Sequence, residues 1–176
     1  LFPDRVGRMV LDGAVDPSIA LIQNDLRQAG GFQLAFDDYA ADCAANGCPL
    51  GATLDEIEQS VTDVFDAALA DPLPTDDPDR PLTRSLAMFG VIAQLYSEFD
   101  WPTLTDAIVA AGDGDGTALL AAADVYWQRT PGGYTTNTAE ANKAITCLDA
   151  PLTPAPDDVP TEDDFTRRFA ILDSIE

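Results

Sequence analysis

The chain contains one strand-like apolar run near its start, followed by a long stretch whose apolar residues recur at helical spacing. The run is Met9, Val10 and Leu11, bounded by Arg8 and by Asp12-Gly13, which predicts a short buried strand. Pro17 then favours the first turn of a helix, because proline lacks only an N–H that would be unpaired there. No second strand of similar quality follows. The sequence therefore predicts a mainly α chain in which one strand edge opens onto a helical insertion.

The most regular helix is predicted after Thr53, because Thr53 and Glu56 have the spacing of a capping box. Its apolar stripe is predicted to be Leu54, Ile57, Val61, Val64, Phe65 and Ala68. Upstream, apolar residues recur at helical spacing from Ile19 to Cys43, with a kink or break expected at Gly30-Gly31. Further helices are predicted over 83–97, from Pro102, over 119–127, over 137–147 and from Thr161. For the helix over 83–97, the predicted core face is Leu86, Phe89, Ile92, Leu95 and Tyr96.

Several segments are predicted to be loops rather than helices. The stretches 72–81 and 151–160 each contain four prolines, which argue against helix and strand alike. Residues 130–134, TPGGY, are predicted to be a loop as well. Residues 112–116 alternate glycine and aspartate like the start of a calcium loop, but Ala118 stands where that pattern needs glycine. A helix-to-helix turn without metal is therefore predicted there, and no cofactor site is found.

The charge balance excludes some classes of partner. The formal net charge is −22, with 31 acidic residues against nine basic ones. Such a surface repels phosphate backbones and anionic membranes, so neither nucleic acid nor membrane insertion is expected. The acids have two interpretations: they keep the protein in solution, or some of them attract cationic groups such as peptide N-termini.

The three cysteines indicate an oxidising environment. Cys43 and Cys48 bracket the sequence AANG, whose Asn46-Gly47 pair favours a tight turn, so a local disulfide is predicted. A disulfide indicates a secreted or cell-envelope location. Two thiolates without histidine form a poor zinc site, since they fill only half of a tetrahedral shell. Cys147 is left over, and a buried, inert thiol is one interpretation of it.

Three separated blocks of the chain resemble a known family. LFPDRVGRMVLDGAVDP at the start, LYSEFDWPTLTDAIVAAGDGDGTALLAAADVY and AITCLDAP are similar to segments of α/β-hydrolases of the tripeptidyl aminopeptidase-like group, which are secreted serine peptidases. The resemblance implies that residues 1–16 end a strand of the hydrolase core and enter a lid. It implies a helical lid domain over 17–150. Residues 151–176 would be the linker and helix that return to the catalytic core.

The resemblance also shows which catalytic motifs this chain lacks. The family's G-x-S-x-G motif would precede Leu1, and its catalytic Asp and His would follow Glu176. The chain contains no histidine, so it cannot form a Ser-His-Asp triad of its own. No residue is therefore predicted to be catalytic, and the expected partner is the catalytic α/β-hydrolase domain of the same parent chain. The resemblance further implies that Cys147 pairs with a cysteine of that domain.

Six residues are candidates for contact with a peptide substrate that has a free N-terminus. Two acids follow the predicted strand, where open α/β sheets build their sites, and two more flank an aromatic loop between lid helices. A carboxylate there would hold the α-ammonium group of the peptide. Two aromatic residues predicted in loops offer flat contact surfaces. The candidates are Asp12, Asp16, Glu98, Asp100, Trp101 and Tyr134.

Two functions of different classes follow from these observations. The first is the lid and substrate-selecting segment of a secreted serine aminopeptidase, with the triad elsewhere in the parent protein. The second is a stand-alone acidic helical module that binds a protein partner. Only the first explains why a strand ending in Asp-Gly precedes the helices. A G-x-S-x-G motif in the coding sequence upstream, with Asp and His downstream, would decide between them.

Overall fold

The computed structural model describes residues 5–10, 14, 16, 19 and 21–149 of the 176-residue chain. Within this part, α-helices pack around one core and a small β-hairpin lies near the end. The prediction of a mainly α chain is confirmed. In chain order the elements are α1 (Leu21–Ala45), α2 (Leu54–Ala70), α3 (Arg84–Leu95), a 3₁₀ helix (Glu98–Asp100), α4 (Trp101–Gly112), α5 (Thr117–Tyr126), β1 (Arg129–Thr130), β2 (Gly133–Tyr134) and α6 (Thr138–Asp149).

The apolar face of α2 lies at the centre of the hydrophobic core. Its buried side chains are Ile57, Val61, Val64, Phe65 and Ala68. They belong to one cluster with side chains from α1, α3, α4 and α5. The predicted stripe is therefore confirmed, except for Leu54, which is exposed in the first turn. Burial of this stripe packs α1, α3 and α4 against α2, and α5 packs on α3 and α4.

The start of α2 is closed by a reciprocal pair of side-chain hydrogen bonds. The Thr53 hydroxyl accepts a hydrogen bond from the Glu56 backbone N–H (3.3 Å), and the Glu56 carboxylate accepts one from the Thr53 N–H (3.2 Å). Two of the N–H groups that a helix start leaves unpaired are satisfied in this way. The predicted capping box is confirmed.

Helix α1 passes through Gly30-Gly31 without a break, so the predicted break is wrong. A glycine pair costs a helix about 2 kcal/mol relative to alanine. Here Leu26 and Phe36, on either side of the pair, are both buried. Because burial of flanking apolar side chains offsets the low helix propensity of glycine, the helix continues to Ala45.

The strand predicted at Met9–Leu11 is wrong for the two residues that the structure describes. Met9 and Val10 belong to no strand and are 66% and 91% exposed. A strand needs a neighbour to pair its backbone N–H and C=O groups. The described part of the chain offers only the two-residue strands of the hairpin. Met9 and Val10 therefore have no pairing strand within the described residues, and both are exposed.

Helices α3 and α5 approach each other closely at Gly90. A Cβ atom at Gly90 would collide with the backbone carbonyl of Leu119. The face of α3 that meets the core consists of small and medium residues, namely Ala87, Gly90, Val91, Gln94 and Leu95. Of the predicted core face, Leu95 is buried and Leu86 is half-buried against the core, whereas Tyr96 is exposed. The larger side chains Phe89 and Tyr96 contact other rings near the surface instead.

The proline-rich segment 72–81 is a loop that is closed at its base. Leu73 and Leu82 exchange two backbone hydrogen bonds (3.0 and 2.8 Å) and are both buried. The loop was predicted, whereas its two buried leucines were not. Leu73 and Leu82 are the large apolar side chains at the two ends of a polar segment. They are buried in the core, while the acids between them stay in water.

The last part of the described chain packs loosely against the core. The TPGGY segment, predicted to be a loop, belongs to a β-hairpin in which Arg129 pairs with Tyr134 and Thr130 with Gly133. Gly133 has a φ of 111°, a value that side chains disfavour. Helix α6 then exposes Ile145 (58%) and Leu148 (84%). Cys147 between them is also exposed, so the interpretation of Cys147 as a buried thiol is wrong.

Some predictions fall outside the described residues. They concern Asp12, Pro17, the proline-rich segment 151–160 and the helix expected from Thr161. The boundaries proposed at residues 16 and 150 remain predictions.

Removing the capping hydroxyl should destabilise the fold. Thr53→Ala leaves the Glu56 N–H without its partner, and we expect the free energy of unfolding to fall by about 1 kcal/mol. Urea denaturation followed by circular dichroism measures this change. Thr62→Ala is the matched control, because the Thr62 hydroxyl only bonds back to the carbonyl of Glu58 within α2. Equal stability of Thr53→Ala and the parent would contradict a role for the cap.

Two glycine-to-alanine substitutions should have opposite effects. Gly90→Ala places a methyl group against the Leu119 backbone, and we expect a loss of about 1–3 kcal/mol, as for other overpacked sites. Gly31→Ala, in open space on α1, should stabilise the chain by about 0.5–1 kcal/mol. Thermal and urea unfolding of the two variants compare these predictions directly. A tolerated Gly90→Ala would show that α3 and α5 are not in close contact in solution.

Candidate functional site

A cleft of about 330 Å³ lies between the end of α1 and the start of α4. One wall is formed by the last turns of α1 and the loop that follows it. The opposite wall is formed by the 3₁₀ helix and the first turns of α4. The side chains used below are Tyr39, Asp42, Cys43, Cys48, Glu98, Trp101, Thr105 and Asp106. The cleft therefore combines segments that are far apart in the sequence.

A disulfide forms part of the first wall. Cys43, in the last turns of α1, is bonded to Cys48, which confirms the predicted pair. The chain reverses between them at Asn46 and Gly47, where Gly47 has a φ of 81°. The Asn46 amide donates hydrogen bonds to the backbone carbonyl (2.8 Å) and the carboxylate (3.1 Å) of Asp42. These contacts fix the loop over the cleft.

Thr105 connects the two walls. The hydroxyls of Tyr39 and Thr105 are 2.9 Å apart, and Thr105 also donates to the Trp101 carbonyl (3.1 Å). Either hydroxyl can be the donor in the contact between Tyr39 and Thr105. Burial raises the pKa of Tyr39, and the hydrogen bond to Thr105 opposes that rise. The Sγ atom of Cys43 lies 3.6 Å from the same hydroxyl.

The cleft is acidic. Asp42, Glu98 and Asp106 line it, all three are exposed at its rim, and the lining contains no Lys or Arg. Carboxylates on both walls favour a cation between them, since each contributes an attractive Coulomb energy. The aromatic rings of Tyr39 and Trp101, whose centroids are 6.0 Å apart, provide an apolar surface beside the acids. This arrangement suits a small organic cation better than a hydrated ion.

Trp101 contributes an unused hydrogen-bond donor. Its side chain is half-buried in the first turn of α4, although the sequence placed it in a loop. The indole Nε1–H is shielded from water and has no hydrogen-bond partner in the structure. Buried N–H groups are normally paired, because an unpaired one loses its bond to water without replacement.

The structure brings together two of the six predicted contact residues. Glu98 and Trp101 line the cleft. Asp100 lies in the same 3₁₀ helix but does not line it, and Phe99 between the two acids is 96% exposed. Asp16 is exposed at the start of the described chain, with its backbone carbonyl 3.2 Å from the Ile19 N–H. Asp12 lies outside the described residues.

Tyr134, the sixth candidate, lies on the β-hairpin beside a cluster of ion pairs. Arg80 makes two 2.7 Å hydrogen bonds to the carboxylate of Asp124, which raise the pKa of Arg80 above its ordinary value. Arg129, in β1, lies 3.6 Å from the same carboxylate. The cluster ties the hairpin and the loop 72–81 to α5. The hairpin that carries Tyr134 is therefore held in place, but Tyr134 does not line the cleft.

Sequence reasoning missed most of the cleft lining. The missed residues include Tyr39, Asp42, Thr105 and Asp106. One signal could have indicated Asp42: it directly precedes Cys43, and a disulfide loop brings the residues next to its cysteines to one surface. Thr105 follows Trp101 by one helical turn, so the two share a face of α4. Nothing in the sequence indicated that this face meets α1.

The described residues offer no metal site. Among them, no three His, Cys, Asp or Glu side chains are grouped closely enough to hold an ion. The aspartate-rich segment 112–116 is the predicted helix-to-helix turn. In it, the Asp115 carboxylate accepts a hydrogen bond from the Thr117 backbone N–H (2.9 Å), and its hydrogen bonds to Thr117 lower its pKa. None of the described helices combines the length and the apolar character needed to cross a lipid bilayer.

Comparison with known proteins places this chain beside hydrolases, although no protein-family model matches it. It is similar to serine protease Hip1 of Mycobacterium tuberculosis, with 44% identity over a 177-residue alignment that covers 96% of this chain and 34% of that protein. Serine protease Hip1 of Mycobacterium bovis gives the same values. Carboxylesterase B of Mycobacterium tuberculosis is 40% identical over 156 residues, covering 88% of this chain and 30% of that protein.

These similarities concern only part of each relative. The chain spans about a third of the length of the proteins that it matches. Two relatives with different names, a protease and a carboxylesterase, both belong to the hydrolase class by their names. At 40–44% identity over most of its length, the chain is a hydrolase-related protein.

Proposed function

We propose that this chain is the lid and substrate-selecting segment of a secreted serine aminopeptidase with the α/β-hydrolase fold. The observation that carries the proposal is the similarity of nearly the whole chain to one third of a protein named as a serine protease. A segment of this size within such a protein accounts for a helical domain whose described residues form only a two-stranded hairpin. The resemblance of the three sequence blocks to tripeptidyl aminopeptidase-like enzymes supports the finer assignment.

The chemistry would come from outside this chain. A Ser-His-Asp triad needs an imidazole base to activate its serine, and the chain contains no histidine. The described residues form helices around one core and only a two-stranded hairpin. In α/β-hydrolases the nucleophile stands on a strand-to-helix turn of a sheet. The role left for this chain is to cover the site and to select the substrate.

The loosely packed end of the chain supports contact with a catalytic domain. Helix α6 exposes Ile145, Leu148 and Cys147. Exposed apolar side chains on one helix favour burial against another surface. We propose the catalytic domain of the same parent chain as that surface, with Cys147 forming a disulfide to it. The Cys43–Cys48 disulfide is compatible with a secreted or cell-envelope location.

The acidic cleft is the part that we propose to recognise the substrate. An aminopeptidase must hold the α-ammonium group of its substrate at a fixed distance from the nucleophile. Glu98 of the 3₁₀ helix, Asp106 of α4 and Asp42 of α1 all line the cleft. Carboxylates on two walls fit a single positive charge between them through charge-assisted hydrogen bonds. The partner is therefore a peptide with a free N-terminus.

The purified chain should hydrolyse neither peptides nor esters. Without a serine activated by a base, there is no route to an acyl-enzyme. Release of product from aminoacyl-nitroanilide and acyl-ester substrates measures this directly. The longer protein encoded by the same reading frame is the positive control, and we expect it to cleave both. Turnover by the purified chain that persists after repurification and responds to mutations within it would contradict the proposal.

Neutralising Glu98 should impair cleavage of peptides that have a free amino end. In the complete enzyme, Glu98→Gln keeps the shape of the side chain but removes its charge. We expect a loss of about 2 kcal/mol of transition-state binding for such peptides. N-acylated esters carry no ammonium group, so their cleavage should hardly change. Steady-state values of kcat/KM for the two substrate types give the comparison.

Asp100→Asn is the matched control for this experiment. Asp100 lies in the same 3₁₀ helix and is also exposed, but it does not line the cleft. If the negative charge of the lid acted only in a general way, kcat/KM for free-amino peptides would fall equally in both variants. Recognition of the ammonium group would have to lie elsewhere if Glu98→Gln cleaved both substrate types like the parent enzyme.

A further inference from the structure

Helix α6 has no buried side chain among the residues whose burial the structure describes. Ala139, Ala141 and Thr146 are half-buried, and the others are exposed. Most of the stability of a short helix in a protein comes from packing of an apolar face, and α6, with 12 residues, buries no such face. The contacts at the start of α6 are therefore important for the direction in which it points.

Gln128, between α5 and the hairpin, has a backbone conformation that favours glycine. Its φ is 53°, and no other non-glycine residue in the described part of the chain has a positive φ. It follows Trp127, the C-cap of α5, at a position where helices commonly end with a left-handed glycine. Its backbone N–H donates to the Val125 carbonyl (3.1 Å). A residue with a Cβ atom at this position indicates that its side chain has a role.

The Gln128 side chain accepts hydrogen bonds from the segment that begins α6. Its Oε1 atom accepts one from the Thr136 hydroxyl (2.6 Å) and a longer one from the Thr138 hydroxyl (3.4 Å). The two threonine hydroxyls are 2.8 Å apart. The Gln128 backbone carbonyl also accepts the N–H and the hydroxyl of Thr135 (2.9 Å each). A single residue therefore joins the end of α5 to the start of α6.

The hairpin between these two helices is attached to α5 by other contacts. Arg129, in β1, lies 3.6 Å from the carboxylate of Asp124, which is also bound by Arg80. These ion pairs do not involve the Gln128 side chain. Removing the contacts of Gln128 Oε1 should therefore leave the hairpin in place and release the start of α6.

We propose that Gln128 is a positioning residue that sets the direction of α6 relative to the helical core. Its left-handed backbone turns the chain out of α5, and its amide oxygen holds the start of α6. The exposed side chains Ile145, Cys147 and Leu148 are thereby presented in one direction. This inference rests on the proposed function only for the surface that they meet, which is the catalytic domain.

Residual dipolar couplings of the 15N-labelled, 176-residue chain test the direction of α6. Measured in a neutral stretched gel, they report the orientation of each backbone N–H bond in one common frame. In the parent chain, we expect the couplings of α5 and α6 to fit a single alignment tensor. Thr136→Val removes the closest hydroxyl and leaves Gln128 unchanged. The couplings of α6 should then shrink relative to those of α5, because α6 samples several directions.

Variants of Gln128 itself separate its amide oxygen from its backbone. Gln128→Ala removes the oxygen and should reduce the α6 couplings in the same way. Gln128→Glu should preserve them, because a carboxylate oxygen accepts the same hydroxyls. Thr130→Val is the matched control and should also preserve them, since the Thr130 hydroxyl donates within the hairpin to the Gly133 carbonyl (3.2 Å). Unchanged couplings of α2 show that the core is intact in each variant.

The outcomes that would overturn the role of Gln128 are specific. Parent-like α6 couplings in Thr136→Val would contradict the role of the amide oxygen, even if Gln128→Ala changed them through its backbone. Chemical shifts of the Cα atoms show whether α6 is still helical. If they showed that α6 had unfolded in Thr136→Val, Gln128 would stabilise the helix rather than direct it.

The proposed function is tested separately, in the complete enzyme. There, alkylation of free thiols under denaturing conditions shows whether Cys147 is bonded to another cysteine. A free Cys147, together with reduced α6 couplings in Thr136→Val of the 176-residue chain, would contradict the disulfide to the catalytic domain and leave the role of Gln128 intact. A bonded Cys147 with parent-like couplings in that variant would have the opposite meaning.

Discussion

The close contact of α3 with α5 at Gly90 determines where the functional surfaces lie. Because the Leu119 backbone takes the space of a side chain at Gly90, the two helices pack with small residues between them. The position of α3 then determines where the 3₁₀ helix begins, and with it the place of Glu98. The β-hairpin comes directly after α5, so the position of α5 determines where the hairpin begins. The 3₁₀ helix and the β-hairpin are thus both attached to this closely packed pair of helices.

The cleft depends on a second, polar connection. Tyr39 and Thr105 are 66 residues apart in the sequence, and their hydroxyls meet in its wall. The same threonine hydroxyl bonds to the Trp101 carbonyl and lies beside the disulfide. One small side chain therefore links α1, the disulfide and the aromatic ring. The chain has a net charge of −22, so acidic residues alone do not mark a binding site. The cleft differs from the rest of the surface because such contacts hold the walls that carry its carboxylates.

The sequence could predict features that depend on neighbouring residues. The capping box at Thr53, the stripe of α2 and the Cys43–Cys48 bond are of this kind, since spacing alone defines them. The core face of α3 could not be predicted, because large apolar residues normally indicate burial. Here Gly90 approaches α5, while Tyr96 is exposed and Phe89 is half-buried against the rings of Tyr126 and Trp127. For the cleft, Glu98 and Trp101 were predicted, whereas Tyr39 and Thr105 belong to a pairing between distant helices.

The closed base of the loop 72–81 has a consequence for how this protein tolerates changes in length. The Leu73–Leu82 bridge isolates the prolines and aspartates between them from the core. Loop-closure entropy rises only slowly with length, by about 0.6 kcal/mol for each doubling. Residues added beside Pro78 would extend into water without moving α2 or α3. The tip of this loop is therefore a natural place for a short inserted epitope or fluorophore that leaves the cleft unchanged.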